Sequence, residues 1–183
     1  MPELIEPHVR VRTSFLAAVD ELVADGGAYD GSMLGRWMSL YADRWAGEDG
    51  FAEFVAYLHA DATPDASRPA THVPQSTWWL VEGDAYLGRI SCRHVLNDWL
   101  AEFGGHIGYE IRPSARRQGL ATTALRAVLP HVHALGIDPA LLTCDDTNVA
   151  SRKVIEAAGG EFEDQRGDKL RFWLPTGVPQ LRR

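Results

Sequence analysis

Apolar residues first recur at helical spacing between Phe15 and Ala24. There Phe15, Ala18, Val19 and Leu22 fall on one stripe that Gly26 and Gly27 close. Ahead of that helix, His8 to Ser14 reads as a short strand. Within the irregular stretch that follows, Trp37, Leu40, Tyr41 and Trp45 share one helical face, and Phe51 to Ala60 predicts a clearer helix. The segment DATPDASRPATHVPQS, with three prolines among small polar residues, is a surface loop. The pattern then turns β-rich. Trp78 to Glu82 and Tyr86 to Arg93 predict a hairpin across Gly83 and Asp84, HVLNDWLAEFGG a loop, and His106 to Arg112 a third strand. Leu120 to Leu135 is a helix, Ala140 to Asp145 a strand and Asn148 to Ala158 another helix. Glu161 to Gln165 and Lys169 to Leu174 close as a hairpin around Gly167 and Asp168.

Strands adjacent in sequence, followed by a strand–helix–strand crossover, predict an α+β fold: one mixed, mostly antiparallel sheet with helices on both faces. A length of 183 residues fits one domain with a substantial core, and no internal repeat divides it. Pro130 falls inside the Leu120–Leu135 helix and should kink it, because it cannot donate to the carbonyl of Arg126.

Composition narrows the function classes. No apolar run approaches the roughly 18 residues that span a bilayer, and the start MPELIEPHVR lacks the basic, apolar order of a signal peptide, so a cytoplasmic location is expected. A net charge of -7 argues against general nucleic-acid binding, which needs a broad basic surface. Cys92 and Cys144 lie on predicted strands and read as buried small hydrophobes. His131 and His133, two apart on a helix, point in different directions and make no zinc pair; no metal is expected.

Against that acidic background, IRPSARRQGLATTALRAV places Arg116 and Arg117 at a helix start, where the peptide dipoles are already positive. Cations there are disfavoured by roughly 0.3 to 1 kcal/mol each. A negative ligand would reverse the sign. Gly119 lets the backbone approach such a ligand, and the amides entering the helix have no internal partners, so a phosphate is the natural guest. Neither GxGxxG nor GxxxxGK[ST] is present, so a dinucleotide or P-loop fold is unsupported.

The pattern Arg116-x-x-Gly119-x-Ala121, between the strand HIGYEIRP and an alanine-rich helix, resembles the acyl-CoA pyrophosphate motif of the GNAT superfamily of N-acetyltransferases. LLTCDDTNVASRKVIEAAGGEFE resembles the next strand and helix of that family, with Asn148 opening the helix and Gly159 ending the segment. Extended back through WWLVEGDAYLGRISCRHVLNDWLAEFGGHIGYEIRP, the likeness to a bacterial GNAT group covers about Gln75 to Leu174. It implies a GNAT fold with a central sheet of about seven strands. Residues 1–75 would form the variable acceptor side and 76–175 the motif-bearing core. It further implies acetyl-CoA as cosubstrate, held by Arg116, Arg117, Gln118, Gly119, Leu120, Ala121 and Thr122 at the turn. Ile111 would pair with the pantetheine arm and polarise the thioester, and Asn148 would meet the arm from the far side. Asn148 is also a good helix cap in its own right.

The implied reaction is direct transfer of an acetyl group to a primary amine, on a small molecule, a peptide N-terminus or a lysine. Dimers are common in the family, so a homodimer is a further expectation. A base must remove a proton from the amine. Glu110 and His106 fall on one face of the central strand and are the candidates. A structural reading stands beside each: Glu110 paired with an arginine, His106 satisfied in the strand. Many GNAT enzymes carry a tyrosine seven residues after the helix-opening asparagine, as acid for the departing thiolate; here that position is Ile155. Ser151, Cys144 or water would substitute. The departure motivates an alternative, an acyl-CoA-binding sensor or structural protein without turnover. Trp99, in a loop, is a candidate substrate contact, and Asp30, Glu48 and Asp49 suggest a cationic acceptor.

Overall fold

Among the described residues seven strands form, and they divide between two antiparallel sheets. In the computed structural model, which describes residues 1–29 and 31–177, the elements are β1 (Glu3–Ile5), α1 (Arg12–Ala24), α2 (Met33–Tyr41), α3 (Glu48–Ala60), β2 (Gln75–Glu82), β3 (Ala85–Arg93), β4 (Ile107–Ile111), α4 (Leu120–Ala134), β5 (Ala140–Asp145), α5 (Val149–Ala157), β6 (Glu161–Arg166) and β7 (Lys169–Leu174). The first sheet runs β1-β2-β3-β4 and the second β5-β7-β6.

Three local expectations are corrected. His8 to Ser14 is no strand: the His8 ring accepts from the Arg10 amide at 3.1 Å, and a short 3-10 turn over Val9–Val11 runs into α1. Val11 is fully buried and heads a stripe with Phe15, Ala18 and Leu22, whose spacing is helical. The strand of this region is the three-residue β1, with Leu4 opposite Leu80. In the long loop before β4, Leu100–Gly104 forms a π-helical turn. Leu40 is 44% exposed and leaves the face that Trp37 buries, because α2 ends at Tyr41 and the chain turns before Trp45. Pro130 sits inside α4, which continues to Ala134.

Helices cover both faces of the first sheet. Side chains alternate along β2, so Trp78 and Trp79 point oppositely. Trp79 joins Phe15, Trp37, Phe51, Phe54 and Tyr86 beneath α1, α2 and α3. On the other face Ile90, Cys92 and Ile107 meet Leu125, Val128 and Val132 of α4, and this core runs on to Leu142, Ile155 and Phe172. Cys92 and Cys144 are free and buried in it.

A hydrogen-bonded clasp ties the two sheets together. The His106 amide donates to the Leu141 carbonyl at 2.7 Å, and the Leu141 amide donates to His106 Nδ1 at 2.9 Å. Gly105 makes the approach possible: its φ is +64° and an added Cβ would lie 2.7 Å from the Leu141 oxygen. Past the clasp β4 and β5 are not hydrogen-bonded partners, and a cleft opens between β4 and α5.

Candidate active site

The cleft has a volume of about 820 Å³. Its walls include Tyr109, Glu110 and Ile111 from β4, Arg116, Arg117, Gly119, Leu120, Ala121 and Thr122 from the turn into α4, and Asn148, Ser151 and Val154 from α5. Nearly every residue singled out in the sequence therefore converges on one opening. Gln118 and His106 do not line the cleft.

β4 presents backbone to the cleft. In an antiparallel ladder alternate residues bond to the partner strand. Arg112 donates to Leu87 and His106 accepts from Arg93, so Gly108 and Glu110 share that parity and bond to β3. The N–H and C=O groups of Tyr109 and Ile111 consequently point away from β3, toward the gap that β5 would otherwise fill. The Ile111 carbonyl accepts from Arg116 Nε at 3.1 Å.

At the turn, Arg117 has φ +64° and Gly119 φ +75°, and the first helical bond is from Thr123 to the Gly119 carbonyl. The N–H groups of Arg117, Gln118, Gly119, Leu120, Ala121 and Thr122 have no acceptor among the described residues. Successive donors around left-handed residues form a concave anion site, and the α4 dipole adds to it. A Cβ on Gly119 would meet nothing within 4 Å, so the position faces open space.

The two arginines have different roles. Arg116 is held by Asp25 at 2.6 Å as well as by Ile111. Arg117 makes no ion pair among the described residues and is exposed. Glu21 of α1 clamps the same segment, accepting from the Ser114 amide and hydroxyl at 3.0 Å each and pairing with Arg112. Its bond to Arg112, then those to Ser114, outweigh burial and hold its pKa at about 2. Sequence patterns gave no hint of this clamp, because Glu21 and Asp25 lie about ninety residues from their partners.

Glu110 combines both readings offered for it. It lines the cleft, and its carboxylate lies 3.6 Å from Arg89, its cross-strand partner on β3. His106 is a structural histidine: Nδ1 is occupied by Leu141, and burial, then the charge of Arg93, lower its pKa to about 4. Its ring thus serves the contact between the sheets, away from the cleft lining. Asn148 Oδ1 accepts from the Ser151 amide at 3.0 Å, the helix-cap role, while still lining the cleft. Ile155 is fully buried. Tyr109 was missed; its hydroxyl lies 2.7 Å from Ser151 Oγ, and burial raises its pKa to about 12 despite that bond. Its alternation with Ile107 and Ile111 marked it only as core-facing.

Other candidates lie elsewhere. Trp99 is 61% exposed, rests against Phe103 and is not part of the cleft lining. Glu48 and Asp49 are exposed in the first turn of α3, where they offset its dipole; Asp30 lies outside the described residues. Among the described residues no three His, Cys, Asp or Glu side chains group to hold a metal, and no helix is long and apolar enough to cross a membrane.

Residues 34–161 match the family model described as an acetyltransferase (GNAT) domain. No protein with a curated description matches the sequence. Among solved structures, RimJ of Mycobacterium smegmatis in complex with CoA-disulfide is 17% identical, with 98% of this chain and 84% of that one covered and a TM-score of 0.65. The microcin C7 self-immunity acetyltransferase MccE, in complex with acetyl-CoA and AMP, is 10% identical over 95% and 92% of the two chains, with a TM-score of 0.64. PaiA N-acetyltransferase from Thermoplasma acidophilum, in complex with coenzyme A, is 10% identical over 96% and 99%, with a TM-score of 0.58. At these identities the likeness concerns the fold.

Proposed function

The chain belongs to the GNAT acetyltransferases, and from that premise we propose that it moves an acetyl group from acetyl-CoA to a primary amine by direct transfer in a ternary complex. The observation that carries the reading is the row of unpartnered amides from Arg117 to Thr122 at the head of the cleft. They suit the cofactor's pyrophosphate, with Arg117 adding charge. The strand edge of Tyr109 and Ile111 then takes the pantetheine arm, and Asn148 meets it from α5. Complexes of the similar structures with coenzyme A, acetyl-CoA or CoA-disulfide support this choice of cosubstrate.

The amine nitrogen attacks the thioester carbonyl carbon, whose oxygen gathers negative charge against the Ile111 N–H. The C–S bond then breaks and coenzyme A leaves as a thiolate. Alignment in the cleft supplies roughly 7 to 11 kcal/mol of the barrier reduction when the geometry is good. Glu110, directly or through a water, takes the proton that the amine must lose.

Tyr109 and Ser151 replace the tyrosine absent at Ile155, with a different role. A phenol of pKa about 12 cannot usefully give its proton to a thiolate whose acid has a pKa near 8.5. Their mutual bond uses one of the pair's two hydroxyl protons, and the other donates a single hydrogen bond to the departing sulfur, which is a tolerable leaving group without an acid. Cys144, buried with a raised pKa, carries no acyl group in this scheme.

Residues 1–75 form the acceptor side and 76–175 the cofactor side of a single domain, acting in the cytoplasm without nucleic acid, membrane or metal. Thiol release from acetyl-CoA across a panel of small amines and peptides tests the reading. Release with at least one amine, together with a melting temperature raised by acetyl-CoA but not by ATP or NAD, is expected. Tight acetyl-CoA binding with no release would establish the acyl-CoA sensor instead.

A further inference from the structure

The face of the first sheet beneath α1 and α2 is more basic than an acidic protein leads one to expect. Along β3 the residues pointing that way are Arg89, Ser91 and Arg93; along β4 they are Gly108 and Glu110. Arg89 is 7% exposed, and its guanidinium lies over the Trp37 ring at 5.3 Å. Its Nε is buried without a hydrogen-bond partner, and Glu110 at 3.6 Å is its one acidic neighbour among the described residues. Buried charges are ordinarily paired and hydrogen-bonded, because desolvation is otherwise uncompensated. Arg93 departs further. Its Nη1 donates to the carbonyls of Gly104 and Gly105 at 3.1 and 3.2 Å, and it has no carboxylate within ion-pair range among the described residues. Burial, then the charge of Arg89, lower its pKa to about 10.

Between Arg93 and Glu110 the sheet floor carries no side chain, because the position is Gly108. Gly108 sits two residues before Glu110 on the same face of β4, opposite Ser91. A Cβ placed on it would meet only Arg93 Nη1, at 3.9 Å. Ser91 Oγ is turned aside in a 2.9 Å bond with Thr77 Oγ1. The sheet therefore offers an unfilled position edged by one guanidinium, close to a second, and about one strand repeat, near 7 Å, from the Glu110 carboxylate.

We propose that this position is an anion subsite of the acceptor pocket: the amine acceptor carries a carboxylate that sits over Gly108 against Arg93 and Arg89, while its amino group meets Glu110. The inference rests on the acetyl-transfer reading above and narrows the acceptor to amino-acid-like molecules or acidic peptide ends. It reverses the cationic acceptor that the acidic residues of the N-terminal part suggested. Two guanidiniums against one carboxylate leave a net positive lining, and polyamines and lysine-rich peptides are disfavoured by like charge.

The test is calorimetric titration of L-glutamate, succinate and spermidine into the wild-type protein, with and without acetyl-CoA. Glutamate and succinate are expected to bind and spermidine is not. Gly108→Asp places a carboxylate of the chain itself beside Arg93. It should raise the melting temperature and weaken glutamate binding by at least about tenfold, the worth of one charged hydrogen bond. Gly108→Ala, whose Cβ makes only an ordinary contact, is the folding control and should bind acetyl-CoA like the wild type. Spermidine binding as tight as glutamate, or glutamate affinity unaltered by Gly108→Asp, would overturn the proposal. Failure of acetyl-CoA to bind would instead strike the cofactor reading, since the carboxylate titrations are also read without it.

Discussion

The two sides of the cleft are built from different materials. At the turn into α4 the donors are backbone amides, fixed by the left-handed conformations of Arg117 and Gly119 within a few residues of chain. On the face proposed to meet the acceptor the groups are side chains: Glu110 at the cleft wall, and behind it Arg89 and Arg93, brought together across β3 and β4 and covered by helices from the first third of the sequence. A backbone site recognises a phosphate with little dependence on which side chains flank it. A side-chain site can be retuned by one substitution. On the proposed reading the cofactor side tolerates changes of side chain and the acceptor side sets specificity.

The comparison predicts a graded set of outcomes. Glu110→Gln removes the proton acceptor and should lower turnover about 10²-fold or more while acetyl-CoA affinity holds within about twofold. It also strands Arg89, so a stability loss of about 3 kcal/mol is expected and the rate must be measured well below the new melting temperature. An unaltered rate would return Glu110 to a structural role. Tyr109→Phe should reduce kcat by about tenfold, a lost hydrogen bond to developing charge, with KM for acetyl-CoA little changed. A change confined to KM would place Tyr109 in binding and not at the leaving sulfur. Asp25→Asn takes a negative charge out of the cofactor cleft and releases Arg116; acetyl-CoA should bind a few-fold more tightly, the effect of one partly screened charge. Weaker binding would mean that Asp25 serves by holding Arg116 in place.

The smallest effect concerns the clamp between α1 and the turn. Glu21 has its pKa lowered from 4.5 to about 2, so its stabilisation is fully present above pH 4.5 and is lost as pH falls through 2. Melting temperature should rise with pH across that window in the wild type and rise less steeply in Glu21→Gln. Parallel profiles would remove the clamp from the account.

Much of this was legible in the residues themselves. The anion-site geometry of the turn RRQGLA could be read because glycine, unpaired helix-start amides and misplaced cations are all local facts. Strand β5, Ala140–Asp145, and β7, Lys169–Leu174, follow from their pattern for the same reason. The division into two sheets was not legible. It depends on Gly105 admitting the Leu141 carbonyl and on His106 clasping it, a contact between residues thirty-five apart. Strand β1 is too short to show a period, and Val11 was assigned to a strand although it extends the α1 stripe. The arginines of β3 were visible as an alternation with Ile90 and Cys92, which by itself reads as a solvent face. Only the packing of α1, α2 and α3 over that face turns solvated arginines into buried ones.

The claim on which the rest depends is that the amides around Gly119 hold the pyrophosphate of acetyl-CoA. Isothermal titration of acetyl-CoA into the wild-type protein and into Gly119→Glu, which puts bulk and negative charge at that turn, tests it most directly. Saturable binding to the wild type that disappears in the variant, with both proteins folded by circular dichroism, is the predicted result. Equal affinities, or no binding to the wild type, would contradict it.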